Sequence, residues 1–171
     1  DSETNTTTGT VGKTAIIAGA EIGYAFPLGE MLVLDIGGTF VEGDAKLKYN
    51  TDDAGAGNSD VSMEITDSYT YYIAPTIVLS ETSAVYFKAG VAESETTIVG
   101  DVTKPADLDG EVYAFGTRTQ LDNGIYIRAE AGMIEYDKLS VTGLGSTVPT
   151  TTTVTADPVI AYGGFSVGMK F

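Results

Sequence analysis

The sequence predicts an all-β fold, an antiparallel up-and-down transmembrane β-barrel with eight strands expected and seven visible between Asp1 and Phe171. Three observations predict it. Period-two alternation recurs in seven stretches. The connections between those stretches run short, long, short, long, short, long, as in a barrel with tight turns at one end and extended loops at the other. The apolar faces of all seven stretches contain no Lys, Arg, Asp or Glu.

Length and composition set the frame. A chain of 171 residues fits one domain, with residues 1–12 reading as the end of an extracellular loop and residues 13–171 as the barrel. No window approaches eighteen consecutive apolar residues, so no transmembrane helix is predicted. A membrane barrel stays open, because its strands carry apolar residues only at alternate positions. The absence of Cys and His removes disulfides, thiolate nucleophiles and the imidazole base of a Ser-His triad. The start, Asp1-Ser-Glu-Thr-Asn-Thr-Thr-Thr8, has neither a basic nor an apolar leader region, so any signal peptide is expected to lie upstream. The net charge of −15 repels nucleic acid, whose binding needs Lys and Arg to displace counterions.

The first stretch, about Lys13 to Phe26, sets Ile16, Ala18, Ala20, Ile22, Tyr24 and Phe26 against Ile17, Gly19, Glu21, Gly23 and Ala25. Pro27-Leu28-Gly29-Glu30 turns the chain. The second, Met31 to about Glu42, has Leu32, Leu34, Ile36, Gly38 and Phe40 on one face and Val33, Asp35, Gly37 and Thr39 on the other. After a polar segment to Asp60, the third runs from about Ile65 to Leu79, with Tyr69, Tyr71, Ile73, Pro75, Ile77 and Leu79 on its apolar face. Ser80 to Ser83 is the next tight turn. The fourth opposes Val85, Phe87, Ala89 and Val91 to Tyr86, Lys88, Gly90 and Ala92.

A polar segment, about Glu93 to Asp109, leads to the fifth stretch. There Tyr113, Phe115, Thr117, Thr119 and Leu121 oppose Val112, Ala114, Gly116, Arg118 and Gln120. Asp122-Asn123-Gly124 is the strongest hairpin signal, since Asn-Gly suits the positive φ angles of a type I′ turn. The sixth has Ile125, Ile127, Ala129, Ala131 and Met133 against Tyr126, Arg128, Glu130 and Gly132. A long segment, about Asp137 to Pro158, precedes the seventh, Val159 to Phe171.

The polar faces decide which side meets lipid. They hold Glu21, Asp35, Lys88, Arg118, Arg128 and Glu130, three acids and three bases, among Gly, Ala, Thr, Ser and a few Tyr. A water-facing surface of so acidic a chain would be crowded with unbalanced charge. A compact interior in which these six residues pair satisfies the requirement that buried charges have partners. The apolar face is then the one turned to lipid. Glu30, Glu81 and Asp122 mark the short-turn side, and the remaining eighteen of the 24 acidic residues lie in or beside the long loops and at the N-terminus.

The chain closes on Phe165, Val167, Met169 and Phe171, alternate residues of the last stretch. This pattern resembles the C-terminal signal that the assembly machinery reads in outer-membrane barrels. Most of the chain is similar to small OmpA/OmpX-type barrels and, more narrowly, to the acidic porin-family or OMP-β-barrel proteins of marine α-proteobacteria. Asp122-Asn-Gly-Ile-Tyr-Ile-Arg-Ala-Glu-Ala-Gly132 is the best local match.

The resemblance implies a bacterial outer-membrane location. It also implies an even strand number with both termini on the periplasmic side, and hence a further N-terminal strand in the complete protein. Implied partners are outer-membrane lipid and lipopolysaccharide, the barrel-assembly machinery, and copies of itself in a homo-oligomer or lattice.

The expected function is a structural, non-enzymatic envelope barrel with acidic extracellular loops; the alternatives are a narrow porin or small-solute channel, and a subunit of an extracellular β-rich fibre. Neither cofactor nor metal is predicted. Glu21, Asp35 and Glu130 could serve as a carboxylate pair for glycoside chemistry, but three nearby cations favour a salt-bridge network. Asp52, Asp53, Asn58 and Asp60 are oxygen donors in a Gly-rich loop, yet their spacing departs from an EF-hand, and a solvated acidic loop fits them better.

Overall fold

The computed structural model of the chain describes residues 14–43, 45–50, 60–104, 107–121, 124–145 and 153–169. They form ten strands: β1 (Ala18–Pro27), β2 (Leu32–Glu42), β3 (Ala45–Asn50), β4 (Asp60–Val78), β5 (Ser83–Val99), β6 (Leu108–Gln120), β7 (Ile125–Tyr136), β8 (Leu139–Thr142), β9 (Thr153–Ala156) and β10 (Val159–Met169). The main sheet is an antiparallel meander in the order β1-β2-β4-β5-β6-β7-β10, with β3 paired to β4 beyond the end of β2. Seven of these strands occupy the seven alternating stretches of the sequence.

The sheet is a curled half-barrel. In a flat sheet, β1 and β7 would stand roughly 24 Å apart, five steps of about 4.8 Å. Instead Arg128 of β7 forms an ion pair with Glu21 of β1 across four intervening strands. Among the described residues, β1 pairs with β2 alone and β10 with β7 alone.

Short turns join β1 to β2, β4 to β5 and β6 to β7. In the last, Gly124 adopts φ 77°, a left-handed conformation that glycine reaches without steric cost. Asp122 and Asn123, which carry the hairpin signal, lie outside the described residues, as do Phe171, Asp52, Asp53 and Asn58.

The connections predicted to be polar segments carry more structure than the sequence reading gave them. β4 begins at Asp60 rather than near Ile65, β5 runs on through Glu95-Thr-Thr-Ile-Val99, β6 begins at Leu108, and β3, β8 and β9 lie wholly within predicted connections. These segments are rich in Thr, Val and Ile, which favour strands. They lack apolar alternation because neither face of the extension has to be uniformly apolar.

The extension begins at a bulge. Thr66 faces Glu95 but Ser68 faces Ser94, leaving Asp67 as an extra residue with φ 35°. At the same point the partner of β4 changes from β2, whose pairing ends at Val41↔Ser68, to β3, which starts at Ala45↔Ile65. A bulge bends a strand and sharpens its twist, and here it separates the curled sheet from the projecting β3-β4-β5 ribbon.

The two faces differ as the alternation requires. On β4, Tyr69, Tyr71, Ile73 and Ile77 are exposed, whereas Thr70, Tyr72, Ala74 and Thr76 are buried on the concave side. On β6, Tyr113 and Phe115 are exposed while Val112 and Ala114 are buried. The large apolar side chains of the alternating stretches thus cover the convex surface, and near the short turns small or polar side chains line the concavity.

Candidate functional site: the interior charge network

The concave face is layered. Nearest the short turns, Arg118 of β6 lies 3.5 Å from Asp35 of β2, and Thr76 Oγ1 of β4 donates to the same carboxylate at 2.6 Å. The next layer centres on Lys88 of β5, only 3% exposed. Its Nζ lies 3.3 Å from Glu21 Oε2 and 2.8 Å from Glu130 Oε2, and 4.3 Å from the centre of the Tyr72 ring. Arg128 pairs with Glu21 and reaches Glu130 at 3.4 Å. Its guanidinium also stacks over Tyr86, 4.5 Å from the ring centre, and Nε donates to the Tyr86 hydroxyl at 3.2 Å.

Glu130 is the hub. It accepts from Lys88, from Arg128, from the Tyr86 hydroxyl at 2.7 Å and from the Tyr162 hydroxyl at 3.0 Å. Four donors match the roughly four lone-pair positions of an ionised carboxylate. Among the described residues, every buried side-chain nitrogen or oxygen has a partner. Low local dielectric strengthens a satisfied network and penalises a broken one, so this one ties β1, β2, β4, β5, β6, β7 and β10 together from inside the curl.

Glycines make room for the tyrosines. Each interior tyrosine faces a glycine on a neighbouring strand: Tyr72 opposite Gly37 and Gly90, Tyr86 opposite Gly116, Tyr162 opposite Gly132, and Tyr126 opposite Gly168. A Cβ at Gly37 would stand 2.6 Å from the Tyr72 hydroxyl, and one at Gly132 would stand 2.8 Å from Cζ of Tyr162. The rings lie across the glycines, and the hydroxyls of Tyr86 on β5 and Tyr162 on β10 meet at Glu130.

Farther from the short turns the interior becomes apolar. Ile65, Ala92, Leu108, Val112, Ile134, Tyr136 and Leu139 pack together, with Met63, Ile160 and Tyr162 against them. The Tyr136 hydroxyl is satisfied by Ser94 Oγ at 2.7 Å. Leu139 belongs to the small β8-β9 ribbon, which is tied to the segment after β5 by the Val102↔Gly143 bridge and by Thr103 N donating to Thr142 O at 2.8 Å. Among the described residues, apolar side chains therefore pack inside the concavity towards its long-connection end.

The six charged residues singled out from the sequence all lie in this network: Lys88, Glu21, Arg128 and Glu130 in one cluster, Arg118 and Asp35 in the other. Of the terminal residues, Phe165, Val167 and Met169 project from the convex face of β10, 87%, 76% and 54% exposed. The sequence reading missed the tyrosine hydroxyls and Thr76, whose part depends on cross-strand register; pairing Gly with Tyr across neighbouring strands would have found the tyrosines. Compared with protein-family models, curated proteins and solved structures, the chain matches none.

Proposed function

We propose that the chain is a structural, non-enzymatic barrel of the bacterial outer membrane, similar in design to small OmpA/OmpX-type barrels. Its convex face meets lipid and its acidic connections face outside. The observation that carries this reading is a ring of outward carboxylates, each at a similar distance along its strand from the short turns. Glu42, Glu93, Glu111 and Glu135 are the first charged residues on the outward faces of β2, β5, β6 and β7, and the Asp67 bulge interrupts β4 at the corresponding place.

Between that ring and the short turns lie Leu32–Val41, Ser68–Val78, Ser83–Ala92, Val112–Gln120 and Ile125–Ile134, nine to eleven residues each. None of their outward positions is charged. About ten residues at roughly 3.3 Å each, tilted about 40°, rise roughly 25 Å, the height of a barrel's lipid-facing band. Glu93 lies directly opposite Asp109, and Glu111 opposite Glu135. Like charges so placed repel and are tolerable where water screens them. Phe40, Tyr69 and Tyr113 sit one outward step inside the ring, where aromatic girdles form, and the Tyr113 hydroxyl reaches Glu111 at 2.7 Å.

A soluble protein rarely exposes a contiguous apolar surface of this extent. The apolar plug and the filled charge layer favour a non-conducting barrel over a solute channel. Strand direction is compatible with closure. β1 and β10 both run from the long-connection end towards the short turns, so one strand running the opposite way fits antiparallel between them and gives eight. Lipid, lipopolysaccharide and the assembly machinery are the partners that this reading assigns.

Flotation tests it. Refolded with phosphatidylcholine vesicles, the protein should rise with lipid in a density gradient and resist carbonate extraction. A monodisperse protein that stays in the aqueous fraction without detergent would refute the membrane assignment.

A further inference from the structure

We propose that a cavity inside the curl, walled by Ile65, Ile134 and Ile160 and edged by Asp67, is a binding site for a small molecule with a compact apolar body and a single ammonium group. The cavity belongs to the inner side of the sheet, so the proposal does not depend on what the convex face meets.

The cavity sits where β4 changes face. Before the bulge, Met63 and Ile65 face the apolar cluster; after it, Thr70 and Tyr72 are the buried residues. The inward set thus passes from odd to even positions. A slip of one residue exchanges the two faces of a strand, and a bulge re-aims the side chain at the slip. Asp67, partly buried and with φ 35°, is the residue at that switch. It borders a space of about 140 Å³ that reaches Ile134 on β7 and Ile160 on β10.

Size and lining select the body of the ligand. An apolar space of roughly 150 Å³ holds benzene. Three isoleucines, from β4, β7 and β10, supply apolar surface for such a group. Thr39 from β2 and Thr66, Ser68 and Thr70 from β4 also line the space, and their hydroxyls suit a ligand with one polar end better than a hydrocarbon.

Charge selects the polar end. Among the described residues the cavity is lined by two carboxylates, Glu130 and Asp67, and by no Lys or Arg. Glu130 is already held by Lys88 and Arg128. Asp67 forms no ion pair among the described residues. An ammonium beside Asp67 gains a charge-assisted hydrogen bond, whereas a carboxylate or phosphate there would meet only negative charge. The net charge of −15 draws cations towards the molecule in the same sense.

The test follows the isoleucine methyl resonances of the 171-residue protein in detergent micelles at pH 7 during titration with benzylamine, benzyl alcohol or benzoate. Benzylamine should shift Ile65, Ile134 and Ile160 saturably and leave Ile73 and Ile125, exposed on the convex face, in place. Benzyl alcohol should bind roughly tenfold more weakly, and benzoate should not bind. Asp67→Asn keeps a side chain that tolerates the left-handed backbone, and it should reduce benzylamine to the affinity of benzyl alcohol. Equal affinity for the amine and the alcohol, or an unchanged affinity for the amine in Asp67→Asn, overturns the ammonium assignment. Shifts at Ile73 and Ile125 that track those of the three cavity isoleucines mean partition onto apolar surface and overturn the site, as does the absence of any saturable shift.

Discussion

Arg128 neutralises Glu21 and Glu130 at once and lies against the Tyr86 ring, so its loss leaves two carboxylates competing for Lys88. Breaking a fully buried pair costs about 3–5 kcal/mol. Glu21 keeps a quarter of its side chain exposed, so water offsets part of that penalty. Arg128→Met should therefore lower stability by about 2–3 kcal/mol, read from urea unfolding in detergent micelles; a change within about 0.5 kcal/mol would mean that the network is screened. Gly116→Ala tests the other half of the design. Its Cβ would meet the Tyr86 ring, and overpacking of this kind costs about 1–3 kcal/mol. At this scale the sequence showed which residues are charged inward, because alternation fixes a face. It did not show who touches whom, because that depends on register between strands far apart in the chain.

In the proposed barrel a strand is two surfaces with different solvents, and depth along it decides what a substitution costs. Phe115 is in the middle of the outward band of β6, and Glu111 is at its edge. Phe115→Arg should destabilise the protein in lipid vesicles by about 2–4 kcal/mol, whereas Glu111→Arg should cost about 0–1 kcal/mol. Equal costs at the two depths would contradict a lipid-facing band. The alternating parts of β1, β2, β4, β5, β6, β7 and β10 were legible because one of their faces is uniformly uncharged. The continuations of β4 and β5, and all of β3, β8 and β9, were not. Beyond the carboxylate ring both faces can be polar, so period two no longer marks the strand. Thr96, Ile98 and Thr153 carry β propensity there without an apolar stripe.

For the molecule as a whole, the interior decides between a structural barrel and a pore. Among the described residues, a salt-bridged layer near the short turns and an apolar cluster beyond it fill much of the concavity. The protein should give no stable, reproducible openings in planar bilayers, and a defined unitary conductance would favour the channel instead. Fold class and strand order were readable in advance because loop lengths alternate and hairpins are local. The curl needed the structure, because it rests on Arg128 meeting Glu21 across 107 positions of sequence.

The central claim is that the outward face of the meander lies in lipid between the short turns and the carboxylate ring. The chain has no native cysteine, so single cysteines can be placed one at a time from Glu111 to Leu121 on β6 and spin-labelled in vesicles. The account predicts that labels at 113, 115, 117 and 119 collide with oxygen dissolved in the bilayer, that those at 112, 114, 116 and 118 are shielded from it, and that position 111 is reached by an aqueous relaxant. Aqueous accessibility at the odd positions, or lipid accessibility at the even ones, would contradict it.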